Sequence, residues 1–348
     1  MSGGEAQLFL DRLGLATATL VGATIGSFLN VVIARVPVGL SVVTPRSRCP
    51  GCGHQIAWYD NLPVLSWLLL RARCRGCRQP ISVRYPLVEL AGGAMAWLAV
   101  SRHGLTPRAL AEFTLTALLL TLAAIDLDTW LLPHRLTWPL LALGLAATAL
   151  GVAPAPSLAS AALGAALGFG SFALISLAGE RLFKKEALGF GDVFLLGGLG
   201  AWLGAGALLP VVLLASVQGS LVGLALILVG RSQPGPPEAT AVAGLPLPAP
   251  TGPGDAEQPA AEAPPCFPLA EGPAKGQLPL LEAAPPAEAV HPVEAAPPAE
   301  AAHLAEEPPW IPPRHALPFG PFLVAGALEW LWLGDRLARA SPLFRIFR

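Results

Sequence analysis

Apolar runs long enough to cross a bilayer constrain this chain more than any other feature. Eight stretches are apolar for most of their length, near residues 13–34, 86–101, 109–125, 138–153, 157–178, 193–206, 209–229 and 316–333. A helix needs about 20 such residues to traverse the hydrocarbon core. Only 13% of the residues are charged, against about 25% in a soluble domain. The expected fold is therefore an all-α polytopic membrane protein with about eight transmembrane helices. A Gly-Pro-containing turn is expected to separate the sixth span from the seventh. The first run, Leu13 to Ala34, is too long for the core of a cleavable signal peptide, and Asp11 and Arg12 precede it instead of a basic cluster.

The formal net charge of -1 conceals an asymmetry. From Ser232 to Pro313 there are eleven acidic residues against one basic residue, Lys275; the rest of the chain has a net charge of +9. Its basic residues sit in short loops between apolar spans, which is not the footprint of a nucleic-acid binder. The loop from Arg35 to Arg84 holds eight arginines and one acid, Asp60. Short loops rich in Lys and Arg stay in the cytoplasm, so the N-terminus is expected outside. The loops around Asp128–Arg135 and Arg181–Glu186 are then cytoplasmic. Eight crossings place the basic tail, with Arg336, Arg339, Arg345 and Arg348, outside, against the same rule.

Gly230–Pro313 is dominated by Pro, Ala, Glu and Gly and contains near-repeats such as "EAAPPAEAVHPVEAAPPAEAAH". Such a composition buries too little apolar surface to offset the entropy of ordering, so a disordered loop is expected there. The chain thus divides into a first span (1–34), a cytoplasmic cysteine loop (35–85), a transmembrane core (86–229), the insert (230–315) and a last span with its tail (316–348).

Four of the five cysteines fall in two C-x-x-C pairs, Cys49 with Cys52 and Cys74 with Cys77; Cys266 stands alone in the insert. Two such knuckles can offer four thiolates tetrahedrally to Zn²⁺, and a set of four leaves no open position, which makes the metal structural. Two disulfides are the alternative, but disulfides rarely persist in the cytoplasm. The apolar patch Leu62–Leu70 is too short to span and is expected to pack under the metal module or lie at the membrane surface.

Asp126 and Asp128 lie in "AAIDLDTWLLPHRLTWP" at the end of the third span, and Asp192 lies in "EALGFGDVFLLGGLGAWLG" at the start of the sixth. Ionisable groups at membrane depth are expensive and point to function. Two carboxylates held together cannot both ionise; they share a proton and can activate water for peptide hydrolysis. Gly189 and Gly191 permit close backbone approach beside Asp192. The bland alternative is that these aspartates are solvated helix caps. Asp126 and Asp192, on the same expected side, are the candidate pair.

Taken together, "GSFLNVVIARVP" (26–37), "SRCPGCGHQIAWYDNLPVLSWL", "RCRGCRQPISVRYPLVELAGG", "AIDLDTWLLPHRLT", "GFGDV" and "LPFGPF" (317–322) make the sequence resemble the prepilin peptidases. These are aspartyl proteases of the bacterial inner membrane. The resemblance implies cleavage of a short basic leader from type IV prepilins or pseudopilins after a glycine. It also implies S-adenosylmethionine-dependent methylation of the new N-terminus, although no glycine-rich nucleotide loop is present to hold that cofactor. By position, Asp126 and Asp192 match the family's catalytic aspartates, with Asp128 as the nearest competitor, and the four paired cysteines match its zinc-type loop. Glu89 in "YPLVELAGG" also fits and is either interior-facing or interfacial. Two positions depart from the pattern: His134 replaces an Asp, and Phe194 replaces a Lys, which removes a cation from the neighbourhood of the dyad but no carboxylate. A presenilin-like intramembrane protease shares the GxGD signature. A zinc-bearing transporter or assembly factor without catalysis is a reading from a different class. The sequence does not specify the oligomeric state.

Overall fold

The structure, a computed structural model, describes residues 3–183, 189–229 and 317–347. The insert expectation, Cys266, Lys184, Lys185 and Glu186 lie outside the described residues. Among the described residues there are ten α-helices and no strand, only two isolated bridges. They are α1 (Gly3–Arg35), α2 (Leu65–Leu69), α3 (Arg84–His103), α4 (Pro107–Thr129), α5 (His134–Ala149), α6 (Leu158–Phe183), α7 (Phe190–Leu203), α8 (Ala205–Leu228), α9 (Gly320–Ala340) and α10 (Pro342–Arg345). A helix thus stands at each of the eight expected positions. Four of them, α1, α4, α6 and α8, are long and apolar enough to cross a membrane.

Small residues let these helices pack closely. On α1 and α3, a β-carbon at Gly22 would stand 2.5 Å from both Ala96 Cβ and the Gly92 carbonyl, and one at Gly92 would stand 2.6 Å from the Gly22 carbonyl. Gly164 on α6 faces the Gly200 carbonyl of α7 in the same way. Close backbone approach at small residues is how helices associate where lipid removes the hydrophobic drive between them. Polar ties add direction: Trp202, 1% exposed, donates from Nε1 to the Leu140 carbonyl at 2.8 Å, joining α7 to α5. The principal core gathers Leu115, Leu119 and Leu122 of α4, Leu140 of α5, Val193, Leu195, Leu196 and Leu199 of α7, Val211 of α8 and Leu323 of α9. Outward-facing residues such as Leu20, Leu174, Leu221 and Leu228 are exposed, as suits a lipid-facing surface.

The turn between the sixth and seventh expected spans is tighter than the sequence suggests. Gly204, at φ +84°, closes α7 through its N–H to the Gly200 carbonyl (2.9 Å) and is also the N-cap of α8. Pro210 therefore lies inside α8 instead of in a turn. A single glycine suffices because it adopts the positive φ that side-chain-bearing residues avoid.

Candidate active site

Helix α4 begins at Pro107 behind Thr106, whose side chain accepts from the Ala109 N–H, a favoured start for a helix. It ends where Trp130 turns left-handed at φ +58° and returns its N–H to the Asp126 carbonyl at 2.9 Å. Pro133 then caps α5. The helix runs through Thr129, so Asp126 sits within its last turns, only 5% exposed. Its neighbours on the buried stripe are Leu115, Leu119, Leu122 and Ile125.

Helix α7 starts at Phe190, three residues before the expected span, which brings Asp192 into its first turn. The N-terminus of a helix carries partial positive charge, and Asp192 lies within it, 8% exposed. Gly191 is required by contact: a β-carbon there would lie 2.5 Å from Leu132 Cβ in the turn after α4. That contact brings the two aspartate-bearing segments together.

The third component is Gly320, the first residue of α9. Its backbone N–H faces the Asp126 carboxylate. A β-carbon at this position would overlap Asp126 Oδ2 and lie 3.4 Å from Asp192 Oδ1. Both carboxylates therefore fall within reach of one point on the α9 N-terminus. Asp192 Oδ1 is one of two buried side-chain oxygens among the described residues that have no hydrogen-bond partner. A buried carboxylate oxygen left unpaired is costly, and here it faces the second carboxylate. The "LPFGPF" stretch was visible in the sequence as a motif; its place between the aspartates was not.

Asp128 is elsewhere. It pairs with Arg84 at the start of α3, and the same guanidinium donates to the Ala124 carbonyl at 3.2 Å. Glu89 is buried and accepts the Val64 N–H at 2.7 Å, which fastens the cysteine loop to α3. Of the two expectations for the patch Leu62–Leu70, the exposure of Leu65, Leu68 and Leu69 fits a place at the membrane surface better than one beneath the metal module. Phe194 packs against Phe169, Phe190, Trp138 and His134. Residues two apart on a helix do not face the same side, so this cluster lies away from Asp192.

In the cysteine loop the four Sγ atoms all lie within 4.8 Å of one another. Cys49 and Cys77 are 3.7 Å apart, and Cys52 and Cys74 are 4.0 Å apart. Four sulfurs bonded tetrahedrally at about 2.3 Å to a zinc ion would be separated by about 3.8 Å, so the donor set fits. The two knuckles are copies of one turn: Cys49 N–H bonds the His54 carbonyl and Cys74 N–H the Gln79 carbonyl, while bridges join Arg48 to Gln55 and Arg73 to Pro80. Backbone N–H groups of Cys77 and Gly76 lower the Cys74 thiol to about 6. The Gln79 N–H draws Cys77 down, yet loss of hydration and the sulfurs of Cys52, Cys49 and Cys74 push it up to about 11. Asp60, held below the usual carboxylate range by the Arg75 guanidinium, ties the second knuckle to the preceding turn.

Comparison with known proteins gives consistent results. The chain matches the Bacterial Peptidase A24 N-terminal domain over residues 20–103 and the Type IV leader peptidase family over residues 113–224. It is 45% identical over 327 residues to a protein of Myxococcus xanthus named prepilin leader peptidase/N-methyltransferase, covering 93% of this chain and 91% of that protein. Proteins of the same name from Burkholderia pseudomallei (strain 1026b) and Aeromonas hydrophila are 42% and 41% identical. Those matches cover 62% and 63% of this chain and 78% and 83% of the relatives. No solved structure matches it.

Proposed function

This chain belongs to the type IV leader peptidase family, and we propose that it is a membrane aspartyl endopeptidase whose catalytic pair is Asp126 and Asp192. Its substrates are type IV prepilins or pseudopilins, from which it removes the leader. It then methylates the exposed N-terminus with S-adenosylmethionine. The observation that carries the catalytic assignment is the meeting of two buried carboxylates at Gly320.

The chemistry follows from a shared proton. The ionised member of the pair takes a proton from water as the water oxygen bonds the scissile carbonyl carbon, and the protonated member gives its proton to the carbonyl oxygen. When the tetrahedral species collapses, the C–N bond breaks and a proton passes to the leaving amine. Gly320 contributes a backbone N–H and, having no side chain, lets the Asp126 carboxylate lie against the α9 N-terminus. Burial excludes bulk water and strengthens each electrostatic interaction.

Cys49, Cys52, Cys74 and Cys77 hold a structural Zn²⁺ that fastens the loop and takes no part in hydrolysis. Eight helices, α1 and α3–α9, cross the bacterial inner membrane. The arginine-rich loop, the α4–α5 turn and the dyad lie at the cytoplasmic face. The test is to incubate purified protein with a prepilin, with and without S-adenosylmethionine, and to weigh the products. Loss of the leader mass, and a further gain of one methyl group only with the cofactor, is expected. An uncleaved prepilin overturns the reading.

A further inference from the structure

A second buried carboxylate lies at the far end of α4. Glu112 is 4% exposed. Its Oε2 is 2.6 Å from His103 Nε2, and its Oε1 accepts from Trp332 Nε1 at 3.1 Å and lies 3.6 Å from the Arg102 guanidinium. Arg102 also donates to the Leu331 carbonyl at 3.3 Å. The carboxylate thus binds the last turn of α3 and the middle of α9 to the first turns of α4. It touches neither Asp126 nor Asp192.

The same two helices, α4 and α9, form the active site at their other ends. Asp126 and Glu112 share the buried stripe of α4 with Leu115, Leu119 and Leu122, and about 21 Å of helix separates them. Gly320 and Trp332 are separated by about 18 Å of α9. The helices run antiparallel, with Gly320 at Asp126 and Trp332 at Glu112. Apolar contacts in between are non-directional and by themselves tolerate a small shift better than a hydrogen-bonded group does. Hydrogen bonds to a buried carboxylate do not allow it, since a shift of an ångström leaves the charge unpaired.

We propose that Glu112 is a positioning residue that acts through Trp332 and Arg102 to set the depth of α9 against α4, and so holds Gly320 at the aspartate pair. This rests on the reading of Asp126 and Asp192 as the catalytic pair. The need for such a fastening lies in the chain itself: α9 is the one dyad-forming helix that follows the long segment after α8, so its depth is not set by a short connection.

The experiment compares wild type with Trp332→Phe, Glu112→Ala and Glu112→Gln in detergent. It reads kcat and KM for prepilin cleavage together with amide exchange across the protein. Trp332→Phe keeps an aromatic ring but removes the N–H together with the pyrrole ring, so its effect contains a packing part; it should lower kcat about tenfold with KM unchanged, and Glu112→Ala about 100-fold, as expected for a displacement near an ångström at the reacting groups. Glu112→Gln keeps an oxygen acceptor for Trp332 and should recover most of the rate. In the impaired variants, exchange should rise at Gly320–Leu323, far from the substitution, while the cysteine loop and the α5–α7 core stay protected. An unchanged kcat in Glu112→Ala, a loss falling on KM, or exchange rising equally everywhere overturns the proposal. A wild type that cleaves nothing sinks the peptidase reading instead, and the exchange data then decide the register claim alone.

Discussion

Phe194 meets His134 edge to face, with ring centroids 4.8 Å apart and planes at 70°. The resemblance to the prepilin peptidases implies a Lys and an Asp at these two positions; here the two side chains make an aromatic contact with each other. Neither departure alters the aspartate pair.

Phe194→Lys alone should destabilise the protein by about 2 kcal/mol, since the lost aromatic pairs contribute about 0.5–1.5 kcal/mol each and cation–π contact of the ammonium with the remaining rings restores only part of that. Adding His134→Asp should recover at least half of that loss. Thermal unfolding of both variants in detergent reads the difference. The pH–rate profile of Phe194→Lys should not move; a shift would mean that the side chain reaches the carboxylates.

Asp126→Asn and Asp192→Asn should each lower cleavage by at least about 100-fold, the usual scale of general acid–base catalysis, with insertion intact. Asp128→Asn should retain cleavage and cost at most about 1 kcal/mol, because it loosens a partly exposed ion pair with Arg84. Processing by Asp126→Asn at the wild-type rate would transfer the catalytic role to another acid.

Gly320→Ala should reduce cleavage by about 100-fold, since its methyl group would occupy the space of Asp126 Oδ2. The Type IV leader peptidase match ends at residue 224, so this test also asks whether a residue beyond that match belongs to the site. A fully active alanine variant would place the substrate elsewhere.

Purified protein should contain one zinc per chain, held by all four thiolates. Because the knuckles repeat the same turn, Cys49→Ser and Cys74→Ser should release metal to a similar extent. Acidification should release it too, since protons compete for the sulfurs. Cleavage by the dyad should survive a chelator that strips the ion as long as the loop stays folded. Metal analysis finding none, or two disulfides, would contradict this.

Replacing Ser232–Pro312 by a Gly/Ser linker should leave cleavage intact and change stability by about 1 kcal/mol, since loop-closure entropy grows slowly with length. Lost cleavage in a correctly inserted variant would assign that segment a role in the reaction.

Apolar runs revealed where the helices are, because a span has to be apolar along most of its length. Residue spacing revealed the four cysteines, because each knuckle is local. The partners of the polar groups were not legible. Glu112 and Trp332 are 220 residues apart in sequence, and Arg84 and Asp128 are 44 apart. A periodic apolar pattern says which face of a helix is buried but not which helix covers it. The pairing of His134 with Phe194 is hidden for the same reason. The start of α8 is not legible from its proline, because Pro210 is accommodated inside the helix while Gly204, at positive φ, makes the turn.

The seat of Gly320 between the aspartates bears on how the enzyme is made. Synthesis proceeds at about 5–20 residues per second, so about 6–25 s pass between the appearance of Asp192 and that of Gly320. Throughout that interval a nascent chain carries both acids but lacks the helix that closes over them. On the proposed reading of Asp126 and Asp192 as the catalytic pair, a chain stopped after α8 carries both acids without the Gly320 N–H that faces Asp126, so cleavage is expected to start only once α9 has been made.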